Sequence, residues 1–476
     1  MKIAGAAAVA TAAVASGCKN NSETKAEGLS LGEVHVGEMT MRENLHGERV
    51  SLLGYGCMRF PTIAGDSGSA SDYKSATTDD ELDQKTINEL VDYAIGHGVN
   101  LFDTAPPYCK GRSEHAVGIA LCRHKRDEYY VSTKLSNFAS ETWSREESIK
   151  MYRNSMKELQ VDYLDYYMLH AVGGTRRDAS GVEIDSMECL RRRFFDNGML
   201  DFLCEERERG RIHNLGFSYH GDVKVFDYLL SLQDEGKYHW DHVLIQHNYV
   251  DWNHAKLINE RNTNSSYLYG ELAKRDIPVF VMDPLLGGQL VNLNDHAAAM
   301  MKERDPQASL ASWAFRFAGN QPRILTVLSG MTYMEHLQDN VRTYSPHHPL
   351  NDEELRMLEE IADVYANFKT VPCTNCKYCM PCPFGIDIPT IFAHYNKCLN
   401  EGHVMNEMDG GSAERRAFRR SRRAFLVDYD RAVPSFRQAD HCIGCNHCVS
   451  ECPQGIDIPG QMRHIDEYVE RLKSEA

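Results

Sequence analysis

Eight cysteines near the end of the chain have the spacing of metal-cluster ligands. They form two short runs in which most neighbouring cysteines are two residues apart, and each run ends in Cys-Pro. Three thiolates at this spacing can surround one iron–sulfur cubane, while the fourth, before proline, can reach another cluster. Four thiolates also suit structural zinc, but the third CxxC step and the Cys-Pro ending favour iron–sulfur clusters. The candidate ligands are Cys373, Cys376, Cys379, Cys382, Cys442, Cys445, Cys448 and Cys452.

The two runs resemble the ligand motifs of bacterial two-cluster ferredoxins. CPFGIDIP at 382–389 returns as CPQGIDIP at 452–459, a repeat that indicates two related half-modules. The resemblance implies two [4Fe-4S] clusters in an α-rich ferredoxin-like domain over 367–476. The first run departs from the ferredoxin pattern because two residues, instead of three, precede Cys382. The implied ligand sets are Cys373, Cys376, Cys379 and Cys452 for one cluster, and Cys442, Cys445, Cys448 and Cys382 for the other.

Four further polar residues stand at or just after the ends of three consecutive apolar segments. Asp103 and Tyr108 follow the first segment, Lys134 ends the second in VSTK, and His170 ends the third in YYMLH. Taken alone, each has an ordinary structural explanation, such as a helix cap for Asp103. Their order and their common place at strand ends favour an active site with proton-transfer groups.

Eight short apolar segments that suit buried parallel strands position these residues. Between them lie segments of helical periodicity, such as the one from Ile87 to Ile95. This alternation predicts an α/β fold, a (β/α)8 TIM barrel over 43–366. A doubly wound open sheet alternates in the same way, but no glycine-rich dinucleotide motif follows the first strand. The predicted strands are 50–56, 100–105, 129–134, 164–170, 214–219, 243–249, 278–284 and 324–330.

The four polar residues at one barrel rim resemble the active site of the aldo/keto reductase family, and the ferredoxin-like extension resembles the iron–sulfur branch of that family. The two resemblances cover about 43–476. They imply that Tyr108 donates a proton to a carbonyl oxygen while a hydride reaches the carbonyl carbon. They also imply that Lys134, paired with Asp103, lowers the pKa of Tyr108. His170 is expected to orient and polarise the substrate oxygen.

The same resemblance implies a nicotinamide cofactor, NAD(P). Three positions depart from the family pattern: SGMTYMEH at 329–336 lacks the Lys or Arg that binds a 2′-phosphate, Tyr219 replaces the usual Asn, and Met282 replaces the aromatic that stacks on nicotinamide. NADP is therefore less expected than NAD. The implied cofactor contacts are Ser218 and Gln246 at the carboxamide, and Pro284, Leu285, Gly330, Asp339 and Asn340 at the pyrophosphate and adenosine.

The N-terminus has the composition of an export signal. Lys2 precedes an Ala/Val-rich stretch, and the sequence from Ala15 to Cys18 resembles a bacterial lipobox, whose cysteine is lipidated. The stretch also resembles the tail of a twin-arginine signal, a route for folded proteins. We expect a signal segment at 1–18, a linker at 19–42 and an extracytoplasmic protein that meets the membrane only through a lipid anchor at Cys18. The alternative is a disordered N-terminus on a cytoplasmic protein.

Composition narrows the classes of partner. The 476 residues carry a formal charge of -16 and a sequence pI near 5.7, which argues against a nucleic-acid binder because phosphate neutralisation needs clustered Lys and Arg. The Arg-rich segment at 415–423 is an exception. It could dock an acidic redox partner, but a solvated helix face is the favoured interpretation.

These observations predict an oxidoreductase that interconverts a carbonyl and an alcohol by hydride transfer, coupled to electron transfer through two 4Fe-4S clusters. Its partners are a small-molecule carbonyl or alcohol and a redox partner protein. Two alternatives stay open: an electron-transfer protein whose barrel is a non-catalytic docking scaffold, and a reductase whose clusters are structural. The loops at 171–188 and 251–266, which would select the substrate, carry no specificity signature.

Overall fold

Eight parallel strands close into a barrel. The computed structural model describes residues 37–63, 81–178, 180–367, 370–405 and 412–474. The strands are β1 (Met41–Glu43), β2 (Arg49–Ser51), β3 (Leu53–Gly56), β4 (Leu101–Asp103), β5 (Tyr130–Leu135), β6 (Leu164–Val172), β7 (Arg176–Arg177), β8 (Glu183–Ile184), β9 (Ile212–Tyr219), β10 (His242–Gln246), β11 (Val279–Met282) and β12 (Ile324–Ser329). The barrel order is β3, β4, β5, β6, β9, β10, β11, β12, and each neighbouring pair is parallel. The barrel prediction is confirmed.

Helices follow the barrel strands along the chain. α3, for example, begins where the Ser144 side chain accepts a hydrogen bond from the Glu147 backbone N–H, and ends at Gln160 in the left-handed conformation. The helices are α1 (Gln84–Gly96), α2 (Ser113–Leu121), α3 (Arg145–Leu159), α4 (Ser186–Leu190), α5 (Met199–Glu208), α6 (Val223–Asp234), α7 (Asp251–Ile258), α8 (Ser265–Lys274), α9 (Asp295–Arg304), α10 (Leu310–Ala318), α11 (Met334–Thr343), α12 (Asp352–Asn367), α13 (Ile388–Asn400), α14 (Ser412–Ala432) and α15 (Ile458–Ser474).

A small hairpin precedes the barrel. The first predicted strand, 50–56, divides in two: β2 pairs antiparallel with β1, whereas β3 pairs with β12 and β4 in the barrel. Val50 of the hairpin is fully buried and belongs to the same apolar cluster as the barrel residues Leu101, Tyr166 and Phe280. The hairpin thus packs on barrel residues that precede the C-terminal ends of their strands. The polar rim is formed at those C-terminal ends.

The C-terminal part is α-rich, as predicted. Apolar residues of α13, α14 and α15 form its core, among them Phe392, Phe425 and Met462, and six of the candidate cysteine ligands pack at the edge of this core. In α14, Arg415, Arg416, Arg419 and Arg420 are exposed. Within the described residues, no helix combines the length and the apolar character needed to cross a bilayer.

The first cysteine run contacts the barrel loops directly. Arg59 Nη2 donates to the Thr374 carbonyl at 2.6 Å, and Gln289 Nε2 donates to the Cys373 carbonyl at 2.9 Å. At Gly287, whose φ is +68°, a Cβ atom would lie 2.4 Å from Thr374 Cα, so only glycine allows this approach. The first cysteine run therefore lies directly against the rim of the barrel.

Candidate active site and cluster-binding residues

The rim of the barrel holds a buried lysine–aspartate pair. Asp103 ends β4 and pairs with Ser132 of the neighbouring β5. Lys134 follows Ser132 by two residues, so both side chains lie on the same face of β5. Lys134 Nζ is 2.5 Å from Asp103 Oδ1 and donates to the Thr104 carbonyl at 2.8 Å. The Ser132 hydroxyl donates to the other carboxylate oxygen of Asp103 at 2.8 Å. Each member of the pair thus has a second hydrogen-bond partner, which offsets part of the cost of burying its charge.

Tyr108 and His170 lie beside this pair. Their ring centroids are 5.9 Å apart and the rings are nearly perpendicular, while Lys134 Nζ is 4.9 Å from the Tyr108 ring centroid. His170 Nδ1 is 2.6 Å from the Ser136 hydroxyl. The buried Arg193 guanidinium donates to the His170 carbonyl at 2.7 Å, which fixes the backbone behind the imidazole. The structure thus brings all four predicted rim residues together.

The electrostatics of these groups differ from the expectation. Burial raises the pKa of Tyr108 well above its ordinary value, and the Asp103 and Asp283 charges act in the same direction. This is opposite to the expected lowering by Lys134, because desolvation of the phenolate dominates. Burial, helped by the positive charge of Lys134, lowers the pKa of His170 well below its ordinary value. At neutral pH the site therefore holds a phenol and a neutral imidazole.

A cavity of about 1180 Å³ opens from the tetrad towards α11. Its lining includes Asp103, Tyr108 and His170, and six of the seven predicted cofactor contacts: Ser218, Pro284, Leu285, Gly330, Asp339 and Asn340. Gln246 is not part of that lining, and its amide donates to Asp251 Oδ2 at 2.7 Å. Asn340 donates to the Ser329 hydroxyl at 2.9 Å. The cavity is large enough for a dinucleotide, because ligand pockets span roughly 300–1,000 Å³.

The eight cysteines fall into two neighbouring groups. Burial raises the pKa of Cys379, and the thiols of Cys376, Cys373 and Cys452 act in the same direction. Burial likewise raises the pKa of Cys448 to about 11, helped by Cys442, Cys382 and Cys445. Each group therefore contains three cysteines of one run and the cysteine before proline of the other run, as the ferredoxin resemblance implies. Four sulfur donors in each group suit a [4Fe-4S] cluster, whose ligands are thiolates.

Two residues that the sequence did not single out connect the cysteines with the tetrad. Tyr378, between Cys376 and Cys379, lies near Tyr108, whose charge adds to the burial that raises the pKa of Tyr378. Arg59 lines the tetrad cavity together with Cys373. The motif spacing marks Tyr378 as lying in the cluster loop, but no sequence signal indicates which surface of the barrel this loop meets.

A parallel barrel with a polar site at its rim, followed by two cysteine groups, defines a redox protein. The family model described as "Aldo/keto reductase family" matches residues 70–363, and the one described as "4Fe-4S dicluster domain" matches residues 372–456. The chain belongs to the aldo/keto reductase family. Its C-terminal part is an iron–sulfur domain, so the predicted family and its iron–sulfur extension are confirmed.

Individual relatives are distant. The chain is 24% identical over 289 residues to the protein named "Uncharacterized oxidoreductase YqkF" of Bacillus subtilis (strain 168), covering 57% of this chain and 85% of that one. It is 37% identical over 94 residues to "Aldo-keto reductase YhdN" of the same organism, covering 18% and 28%. A solved aldo-keto reductase from Bacillus halodurans, in its holo form, aligns with a TM-score of 0.50 at 20% identity, covering 68% and 96%. This last likeness concerns the fold alone.

Proposed function

We propose that this chain interconverts a carbonyl and an alcohol by hydride transfer at its rim tetrad, and that two [4Fe-4S] clusters carry the electrons of that reaction. One observation carries the proposal: residues of the tetrad and Cys373 of the first cysteine group line the same cavity. Proton chemistry and electron transfer then occur side by side. The second cysteine group adjoins the first, because Cys448 is among the thiols that act on Cys379, and it leads towards a redox partner protein.

The tetrad supplies the proton chemistry. A nicotinamide, when bound in the cavity, supplies or accepts the hydride at the substrate carbon. In the reducing direction Tyr108 Oη gives its proton to the carbonyl oxygen, and in the oxidising direction it takes the alcohol proton. The Lys134 ammonium, 4.9 Å from the ring centroid, stabilises the phenolate that remains after donation. The neutral His170 keeps Nε2 free for the substrate oxygen, since Ser136 occupies Nδ1.

The electron count favours two clusters. One [4Fe-4S] cluster transfers one electron and a hydride carries two, so two clusters together hold the electron pair of one turnover. Eight thiol groups in two sets of four supply the ligands. About eight irons and eight sulfides per chain are expected from an anaerobic iron and sulfide determination. Zinc without iron would leave a barrel reductase with a structural extension.

Tyr108→Phe tests the catalytic part. We expect turnover to fall about 10²–10⁴-fold because the general acid is lost, with the visible absorbance of the clusters unchanged. Tyr267→Phe is the matched control, since Tyr267 lies on α8 with 43% exposure. Full activity of Tyr108→Phe would contradict the catalytic role and favour the alternative, an electron-transfer protein with a docking barrel.

Cys376→Ser tests the electron path. The variant should lose the absorbance of one cluster and lose dye-linked turnover, whereas reduction of the nucleotide by substrate in a single turnover should persist. Unchanged dye-linked turnover without that cluster would show that the clusters do not carry the electrons.

Location is a separate proposal. Residues 1–18, with Cys18, lie outside the described residues. The lipobox resemblance supports an extracytoplasmic protein anchored at Cys18. Mass spectrometry of the protein isolated from its native membrane fraction should find an N-terminal diacylglyceryl cysteine, and an unmodified Met1 on a soluble protein would contradict it.

A further inference from the structure

The tetrad cavity has walls that come from two domains. One wall belongs to the barrel domain and includes Gly330 after β12 and three residues of α11, Glu335, Asp339 and Asn340. The other wall belongs to the iron–sulfur domain and is formed by α13 and the end of α14. A ligand that fills this cavity therefore touches both domains.

Two of the three cations in the described lining come from the iron–sulfur domain. The Lys and Arg residues in the described lining are Arg59, Lys397 and Arg431. Arg59 is held near the tetrad by its hydrogen bond to Thr374, whereas Lys397 lies on α13 and Arg431 near the end of α14. The barrel segment at 329–336, which lacks Lys and Arg, lines the same cavity through Gly330, Glu335 and His336.

Both cations are loosely held. Lys397 Nζ lies 3.8 Å from Glu401 Oε1 and 3.9 Å from Asp428 Oδ2, and Arg431 Nη1 lies 3.9 Å from Asp428 Oδ1. These distances exceed the 2.7–2.9 Å of a charge-assisted hydrogen bond. The two side chains can therefore turn to an anion in the cavity, with Asp428 as the competing acid.

We infer that the iron–sulfur domain completes the dinucleotide site, and that Lys397 and Arg431 bind the phosphate groups of the nicotinamide dinucleotide. The inference rests on the proposed function, because it concerns the same cavity. It assigns to α13 and α14 the cations that the barrel segment lacks. The nucleotide then lies between the domains, with its phosphates on the iron–sulfur side and its reactive ring at Tyr108.

The test measures nucleotide affinity in the full-length protein with its clusters, under anaerobic conditions and after any bound nucleotide is removed. The probes are NAD⁺ and NADP⁺, and the readout is the Kd from isothermal titration calorimetry. Lys397→Met combined with Arg431→Met should raise the Kd at least tenfold, and Asp428→Asn should lower it. Lys473→Met, on α15 outside the lining, is the control and should leave the Kd unchanged. Iron content and cluster absorbance report whether each variant is folded.

The outcomes separate the two proposals. If wild type binds neither nucleotide, the nicotinamide part of the proposed function fails. If wild type binds and the double variant binds equally well, the assignment of Lys397 and Arg431 is wrong while the proposed function stands. A salt dependence of the Kd that is steeper for wild type than for the double variant supports the phosphate contacts.

Discussion

The buried pair of Lys134 and Asp103 allows a quantitative test of the site. Lys134 has no exposed side-chain surface and Asp103 has 4%. Lys134→Met keeps the length of the side chain but removes the ammonium. The Asp103 carboxylate then stays buried with the Ser132 hydroxyl as its side-chain donor. Breaking a buried ion pair in this way costs about 3–5 kcal/mol.

Urea unfolding followed by tryptophan fluorescence measures this loss, because Trp240 and Trp313 are fully buried in the barrel domain. With a denaturant slope of about 3 kcal/mol/M, the midpoint should fall by at least about 1 M. Adding Asp103→Asn to Lys134→Met should restore more than half of the loss, since the uncompensated charge is removed.

The matched control is Lys150→Met. Lys150 Nζ lies 3.4 Å from Glu147 Oε2 with both side chains exposed, and such pairs contribute less than about 1 kcal/mol. If Lys134→Met shifted the midpoint no more than Lys150→Met, the burial argument would be refuted. A double variant no more stable than Lys134→Met would also contradict it.

Two further predictions concern stability. Burial raises the pKa of Glu114 to about 7 from about 4.3 in an unfolded chain, so the folded state binds this proton more tightly. The stabilisation that this proton provides is fully present below about pH 4 and is lost as the pH rises to about 7. Glu114→Gln should remove this pH dependence, and at pH 8 its free energy of unfolding in urea should exceed that of the wild type by up to about 3 kcal/mol. The same pH dependence in the variant as in the wild type would contradict this prediction. Gly287→Ala should weaken the domain contact and lower the Tm, because its Cβ would lie 2.4 Å from Thr374 Cα, whereas Gly288→Ala, with no atom within 4 Å of its Cβ, should lower the Tm less. Equal losses would show that backbone strain alone is responsible.

The barrel was predictable because its signals are local. Each predicted strand is a short apolar run, and the structure has a barrel strand in each. Asp103, Lys134 and His170 could be placed at one rim because the C-terminal ends of parallel strands meet there. The ligand sets came from the resemblance to two-cluster ferredoxins, and in the structure Cys452 of the second run lies near Cys373 and Cys376 of the first.

The electrostatics of the site were not predictable in the same way. An ammonium beside Tyr108 suggests a lowered pKa, yet burial raises it. Sequence indicates which charges are near but not how much water remains, and desolvation decides the direction here. The position of Gln246 was not predictable either, because its amide donates to the buried Asp251, five residues away on the next helix.

The contact between the two domains offers an explanation for one departure from the family pattern, the missing cation at 329–336. Docking depends on the shape of two surfaces, which no periodicity encodes: Gly287 admits Thr374, and Gln289 binds the Cys373 carbonyl. These contacts are made by the loop after β11, which also lines the tetrad cavity. A barrel that always carries a second domain over this loop does not need every nucleotide contact on its own segments. The absence of a cation at 329–336 is then compatible with a phosphate-binding cavity, because the iron–sulfur domain adds Lys397 and Arg431 to the lining.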